Sequence, residues 1–456
     1  MAENLAVMDE DEVHADRVAA ILDAVDAQDT ARITELMEPL HAADIADVLE
    51  QIGSADRRAL LALWSGEIDG EILSEIDESI REEVIESLPR SVVAEAMREL
   101  DTDDVVDILE DLDLPQQGLI LDALEDADRV AVQQAMGFPE ESAGRLMQRE
   151  VVVAPEHWTV GEATDYLRET PHLPDQFYHV ILVDPRVKPT GYVTLGRLLS
   201  SRREVRLKDI LEDSFRTVPA TESEADVAYM FNQYHLISAP VVDGTGRLVG
   251  VITIDDAMNV LDEEHEQDML RLAGVGDDSS LSHGVLATAR QRLPWLVVNL
   301  FTASISAFVI SRFESTIASL VTLAALMPIV ASTGGIAGTQ SLAVAVRALA
   351  TRSLTSANAK RVVMRELVGG LLNGLALAFL LGVAGTVIFG DWKLGMVLGA
   401  AMITNQLVAA MGGVLVPLGL HRLDLDPALA SGTFVTTLTD VLGYLAFLGL
   451  ATMVLL

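Results

Sequence analysis

The chain contains no cysteine. Disulfides, thiol nucleophiles and cysteine-ligated zinc are thereby excluded. Positive charge is scarce: 31 lysines and arginines stand against 69 aspartates and glutamates, a formal net charge of -38 over 456 residues. So acidic a surface repels nucleic acid and anionic lipid headgroups and attracts cations. The start, Met-Ala-Glu-Asn followed by acids, lacks the basic and apolar regions of a signal peptide, so the amino-terminal part is expected to stay in the cytoplasm. No Gly-x-x-x-x-Gly-Lys-Ser/Thr loop occurs, which argues against ATP hydrolysis as an energy source. No Ser/His/Asp set or acid/base dyad emerges, so no enzyme is expected.

What charge there is divides sharply. Residues 293–456 hold six acids and eight bases, whereas the 292 residues before them hold 63 acids and 23 bases. The carboxyl-terminal part carries apolar segments at about 293–312, 317–347, 367–390, 394–420 and 431–456. Each is long enough to cross a ~30 Å hydrocarbon layer as a helix. The second contains Pro328, Gly334, Gly335 and Gly338, which suggests a kink or close helix packing. Arg290, Arg292, Arg347, Arg352, Lys360, Arg361, Arg365 and Arg422 fall on one side if the segments alternate. That side is expected to be cytoplasmic, with the acidic head beside it and the carboxyl terminus outside.

Asp440 lies inside the last apolar segment. A carboxylate at membrane depth is costly unless it faces a partner or water. Thr436, Thr437 and Thr439 lie beside it, and Asn299, Asn373, Asn405, Gln406 and the Ser332–Thr333 and Thr339–Gln340–Ser341 pieces add neutral oxygens in other segments. One carboxylate among such oxygens suits a hard, hydrated cation, and no His-rich or Met-rich stripe points to a soft one.

In the head, apolar residues recur at three and four residue spacing over 12–137, which predicts short helices stacked as a small superhelix. Strand-like pieces at 151–154, 178–183 and 191–195 surround a helical piece at 160–167. The same order recurs at 215–218, 225–233, 239–242 and 248–252, so two α/β modules of about 60 residues are expected. Acids crowd 255–268, among them Asp255, Asp256, Glu263, Glu264 and Asp268, and a second cluster holds Asp103, Asp104 and Asp107. Like charges so close repel, and cations bridging them would relieve the repulsion.

Several stretches resemble the MgtE family of magnesium channels and transporters. They are Leu293-Pro-Trp-Leu-Val-Val-Asn299, Pro328-Ile-Val-Ala-Ser-Thr-Gly-Gly-Ile-Ala-Gly-Thr-Gln-Ser341, Asp426-Pro-Ala-Leu-Ala-Ser-Gly432 and Thr436-Thr-Leu-Thr-Asp440-Val-Leu-Gly443. In the head, Glu140-Glu-Ser-Ala-Gly-Arg-Leu-Met147 and Gly250-Val-Ile-Thr-Ile-Asp-Asp256 fit the same family. The resemblance implies a mixed fold with a cytosolic all-α superhelical domain at 12–137 and tandem α/β cystathionine-β-synthase-type (CBS) domains at 138–203 and 204–263. A connecting plug helix at 264–292 and a five-helix transmembrane pore domain at 293–456 follow. It implies a homodimer in the cell membrane with the ion path on its two-fold axis.

By the same resemblance Asp440 holds hydrated Mg²⁺ in the pore, with Asn405 in its surroundings. Asp256, Glu263, Glu264 and Asp268, with Asp104 and Asp107 opposite, sense cytosolic Mg²⁺ and close the pore. In some members ATP binds between the tandem modules. The chain departs from the family pattern at Ile336 and Thr339, which replace two asparagines, and at His235 and Asn259, where an aspartate is common. Two other functions fit the residues: a secondary transporter of Co²⁺ or Mn²⁺ coupled to an ion gradient, and a membrane-anchored sensor without transport.

Overall fold

A computed structural model describes residues 10–170, 173–174, 177–275, 285–355, 357–423 and 425–456. The chain divides into two compact units, Met1–Glu263 and Glu264–Leu456.

The first unit opens with helices α1 (Glu10–Asp26), α2 (Thr30–Met37), α3 (Ala42–Gln51), α4 (Ser54–Trp64), α5 (Gly70–Glu75), α6 (Glu78–Ser87), α7 (Arg90–Glu99), α8 (Thr102–Glu110), α9 (Leu114–Leu121) and α10 (Asp126–Ala135). Their starts reveal a repeat of 12 residues: Thr30, Ala42 and Ser54, then Glu78, Arg90, Thr102, Leu114 and Asp126. Only α5 is late, after a 3-10 turn at Ser65–Glu67. The repeat has a physical content at each position. The residue before the helix often caps it: Asp29, Asp77 and Asp113 accept the backbone N–H of Arg32, Ser79 and Gln116. Eight residues after the cap comes a buried apolar side chain, as in Met37, Leu49, Leu61, Ile85, Met97 and Leu109, and Leu73 keeps the same 12-residue step although α5 starts late. Three further on, Ile52, Trp64, Ile76, Leu88, Leu112 and Leu124 close each turn into one continuous core. Helices of 8–11 residues are marginal alone, so stacking supplies their stability.

The two α/β modules follow. β1 (Val153–Pro155), α11 (Val160–Glu169), β2 (His179–Val183), β3 (Pro189–Thr194) and α12 (Leu195–Ser200) form the first. β4 (Val218–Pro219), α13 (Glu224–Tyr234), β5 (Ser238–Val242), β6 (Leu248–Thr253) and α14 (Ile254–Leu272) form the second. In each, a parallel pair joins an antiparallel pair, in the orders β1-β2-β3 and β4-β5-β6. His179 pairs with Thr194 as Ser238 pairs with Thr253, and both ladders slip at the same place, Leu182/Val183 and Val241/Val242. The first residues of β2 and β5 meet, with His179 Nδ1 at 2.5 Å from Ser238 Oγ. Residues 138–148, expected in the first module, pack by Ala143 and Met147 into the core of the second. The reason is a two-way backbone pairing of Gln148 with Val251, both bonds at 2.9 Å.

The second unit contains the end of α14 and then α15 (Val285–Ser311), α16 (Glu314–Ser319), α17 (Thr322–Ala350), α18 (Ala359–Phe389), α19 (Trp392–Arg422) and α20 (Pro427–Leu455). Among the described residues five helices are long and apolar enough to cross a membrane: α17, α18 and α19, and the Thr288–Ser311 and Gly432–Leu455 parts of α15 and α20. The expected second apolar segment is broken at Leu320, so that α16 precedes the span proper. Pro328 sits inside α17 without ending it. The expected connecting helix is also interrupted. α14 ends at Leu272, Gly274 follows with φ +73°, and residues 276–284 of the expected 264–292 helix lie outside the described residues.

α19 is the centre of the bundle and is far more buried than the peripheral α15 and α18. Small residues set its distances. A Cβ on Gly395 would stand 2.4 Å from the Gly382 carbonyl oxygen and 2.1 Å from Thr386 Oγ1, so α18 and α19 touch backbone to backbone. Gly370 and Gly374 continue that seam against Ala410, Gln406 and Ile403.

Candidate metal centres

In the first unit the starts of α8 and α14 come together. The cleft between them is lined by Asp103, Asp104 and Asp107 of α8 and by Asp256, Asn259 and Glu263 of α14, with Glu110 and Arg145 at its edge. A carboxylate in the first turn of a helix is normally favoured by the exposed amides. Here burial overrides that preference. Asp103 is buried, and burial followed by Asp256, Asp104 and Asp101 pushes its carboxyl well above the usual range. Burial and then Asp256 push Asp104 up to about 7. Asp256 is raised to about 6, again by burial first. Glu263 is raised to about 7 by burial and then by Glu78 and Asp107. These four carboxyls thus give up their protons at higher pH than a solvated aspartate or glutamate would. A cation entering the cleft would displace those protons and take over the neutralisation.

The individual geometries qualify the expected sensor set. Asp256 Oδ2 is engaged by its own helix start, accepting from Thr253 Oγ1 at 2.5 Å and from the Thr253 N–H at 3.4 Å. Asp107 is held by Arg81, whose Nη1 lies 2.9 Å from Asp107 Oδ2 and 2.6 Å from Asp111 Oδ2. Among the described residues no three such side chains converge closely enough to hold an ion by direct ligation. Glu264 and Asp268 belong to the second unit, both half-buried.

Three members of this region went unnoticed in the sequence. Arg145 pairs with Glu110. Glu150 caps α8, accepting from Thr102 Oγ1 at 2.7 Å. Arg81 is buried, and its Nε donates to the Ile76 carbonyl at 3.1 Å. The repeat carries the missed signal for Arg81. It stands four residues after the cap, where Ile33, Ile45, Val93 and Val105 are buried in other repeats. Arg57 does the same, donating to the Leu49 and Ile52 carbonyls and pairing with Glu83. An arginine at an apolar position of a repeat requires a buried acceptor and an acid.

In the second unit Asp440 is half-buried on α20. Among the described residues no group donates a hydrogen bond to it, and no arginine or lysine pairs with it. The helix that carries it is clamped tightly. A Cβ on Gly338 of α17 would stand 2.6 Å from Val435 and 3.5 Å from Thr439, and Thr439 is fully buried. Asn405 of α19 is fully buried too. Its Nδ2 donates to the Val330 carbonyl at 2.7 Å, and its amide fills the space left by Gly334 and Gly443. Gln406 Nε2 donates to the Thr333 carbonyl at 3.3 Å. Both amides therefore bind helices together and do not face open space. Among the described residues Asn405 Oδ1 has no hydrogen-bond partner.

The threonine hydroxyls near Asp440 are turned onto backbone: Thr436 to Gly432, Thr437 to Thr433 and Thr439 to Thr436. Ser332, Ile336, Thr339 and Gln340 of α17 are exposed, as are Asn299 and Asn373 on the peripheral helices. Glu366, which sequence reasoning passed over, accepts from Ser341 Oγ at 3.1 Å, one residue from the basic Arg365 at the start of α18.

Three family profiles match in chain order. They are "MgtE intracellular N domain" over 40–141, "CBS domain" over 143–204 and 207–263, and "MgtE: Divalent cation transporter" over 327–450. The magnesium transporter MgtE of Bacillus subtilis is 30 % identical over 77 % of this chain and 78 % of its own. That of Thermus thermophilus is 33 % identical over 73 % and 74 %. A solved structure described as the cytosolic domain of the Mg²⁺ channel MgtE in complex with ATP is 27 % identical, covering 53 % of this chain and 99 % of its own with a TM-score of 0.49. By the extent of its match to these full-length relatives, the chain belongs to the MgtE family of divalent cation transporters.

Proposed function

We propose that the chain is a Mg²⁺ channel of the cell membrane, closed by Mg²⁺ bound to its acidic head. One observation carries this: Asp440 stands at membrane depth in a helix clamped on two sides, half-open and without a counter-ion among the described residues. A carboxylate in that position attracts a cation, and its open side lets the cation keep part of its water shell. The exposed polar face of α17 suits a homodimer in which a second copy completes the path. The bases at the ends of the spans support a head and a start of the first span in the cytoplasm, with the carboxyl terminus outside.

In the head, Asp104, Asp256, Glu263 and the neighbouring Asp103 and Asp107 form the sensor, and Glu264 and Asp268 extend it along α14. Mg²⁺ exchanges for the protons on the raised carboxyls of Asp103, Asp104, Asp256 and Glu263. ATP between the α/β modules is a further regulator compatible with the family. Mg²⁺ uptake into proteoliposomes tests the pore assignment. Asp440→Asn, which keeps the shape and removes the charge, is expected to lower flux at least tenfold with the protein still eluting as an intact oligomer. Undiminished flux would overturn the assignment. Flux that requires a proton or sodium gradient would favour a coupled transporter instead.

A further inference from the structure

The end of α14 meets the start of α20 through a charge of its own. Arg271 Nη1 lies 3.0 Å from Asp426 Oδ2, and Arg271 Nη2 donates to Gln267 Oε1 at 2.9 Å. Both partners are largely shielded, with 21 % of the arginine and 30 % of the aspartate side chain exposed. Asp426 is the cap of α20, and its other oxygen accepts the Ala428 N–H at 2.7 Å. Its two oxygens are thus divided between its own helix and α14. Beside the ion pair, Leu272 packs on Leu342 and Val346 of α17 and on Ala428 of α20. The Leu272 carbonyl lies 3.5 Å from where a Cβ on Gly432 would be. Asp268, one turn back, is raised by burial and then by Asp426, while Arg271 acts in the opposite direction. Two carboxylates, Asp268 and Asp426, therefore flank a single guanidinium. α20 then continues to Asp440, 14 residues past Asp426, or about 21 Å of helix.

We infer that Arg271 is a tethered cation that latches α14 to the first turn of the pore helix, so that this junction closes without a bound metal ion. The inference rests on the channel function proposed above and assigns the regulation of that pore. Two acids facing each other across a junction need a positive charge between them. A divalent ion supplies it only when its concentration is high enough. A guanidinium supplies it at any Mg²⁺ concentration, and its fork can hold Asp426 and Gln267 at once. Arg271 is a positioning residue, since it touches the helix that carries Asp440 and not the path. The apolar seat of Leu272 fixes the depth at which α14 stops.

The absence of cysteine gives a clean background for the test. Leu272→Cys combined with Ala428→Cys reports docking in the full-length protein by cross-linking in EDTA. Docking is expected without Mg²⁺, and Arg271→Gln is expected to reduce it several-fold, with Arg271→Lys restoring part. Asp426→Asn keeps an oxygen for the α20 cap, removes the charge and is expected to match Arg271→Gln. In proteoliposomes Arg271→Gln should raise flux at zero internal Mg²⁺ and raise the half-inhibiting Mg²⁺ concentration several-fold. Unchanged cross-linking in EDTA in both variants would overturn the inference. So would a lower half-inhibiting concentration, because Arg271 would then be keeping a metal ion from Asp426 instead of closing the junction. If the wild type carries no Mg²⁺, the channel function fails, and the cross-linking still decides whether the latch exists.

Discussion

Arg81 and Val187 show how single residues depart from the repeats that contain them. Arg81 replaces an apolar residue of the 12-residue repeat and neutralises Asp107 and Asp111 from a buried position. Removing it leaves both acids and the Ile76 carbonyl without their partner. Arg81→Ala is expected to cost about 3 kcal/mol in chemical unfolding of the purified chain. Arg32→Ala, which breaks the exposed Arg32–Glu35 pair, should cost under about 0.5 kcal/mol. Equal effects would show that burial does not matter at Arg81.

Val187 occupies the place in the β2–β3 turn that Gly246 occupies in the β5–β6 turn. Asp184 Oδ1 accepts from Arg186 and Lys188 as Asp243 Oδ1 accepts from Thr245 and Arg247. The backbone is left-handed in both, with φ +61° at Val187 and +80° at Gly246. A β-branched residue is strained there and glycine is not. Val187 is half exposed, so little packing is lost on truncation. Val187→Gly should therefore stabilise the head by about 1 kcal/mol, against the usual cost of introducing glycine. A destabilised variant would mean that the strain is relieved elsewhere.

At the scale of elements, two kinds of spacing decide the packing. In the head it is the 12-residue step that brings each helix back onto the same core. In the membrane unit it is the small-residue seam of α18 and α19. Gly395→Ala puts a methyl group into the Gly382 carbonyl and Thr386, both fixed by helices, so α18 must move away. Gly449→Ala meets nothing within 4 Å. The first is expected to lower the thermal unfolding temperature of the detergent-solubilised chain by about 5 °C and the second to leave it unchanged. A similar result for both would place the seam outside the stability of the bundle.

The extent of the helices and strands was largely legible, because periodicity and turn residues are local. The interruption at Leu320 was not, since no proline or glycine marks it, and the end of α14 at Leu272 is marked only by Gly274. The period of the superhelix was also legible in hindsight. Ile52, Trp64, Ile76, Leu88, Leu100, Leu112 and Leu124 stand 12 residues apart, but they vary in type and the late start of α5 hides the step.

For the molecule as a whole, the proposed sensor predicts a link between pH and Mg²⁺ in the acidic head. Asp104 and Glu263 are raised to about 7 and Asp256 to about 6, each by burial before any neighbour. With pKa values above those of the unfolded chain, the folded head holds extra protons between about pH 4 and 7. Stability therefore falls as pH rises through that window and is lowest above it. A cation that replaces the protons restores it only where they have gone. Mg²⁺ should raise the thermal unfolding temperature by several degrees at pH 8 and by little at pH 5.5. A larger Mg²⁺ effect at pH 5.5 would separate these carboxyls from the metal response.

Some properties of this protein are written in the sequence alone. The spans follow from uninterrupted apolar length, the tandem modules from a pattern repeated at 59 residues, and the isolation of Asp440 from the scarcity of other charge around it. These depend on neighbours along the chain or on composition. The tertiary structure decided the rest. It turned Asn405 into a buried clamp, gave Asp107 to Arg81, and brought Asp103 and Asp104 against Asp256. It also set Arg271 against Asp426. Each of these depends on which distant helix arrives beside the residue. A carboxylate keeps or loses its proton according to that neighbour and the water it excludes, and neither is encoded in local spacing.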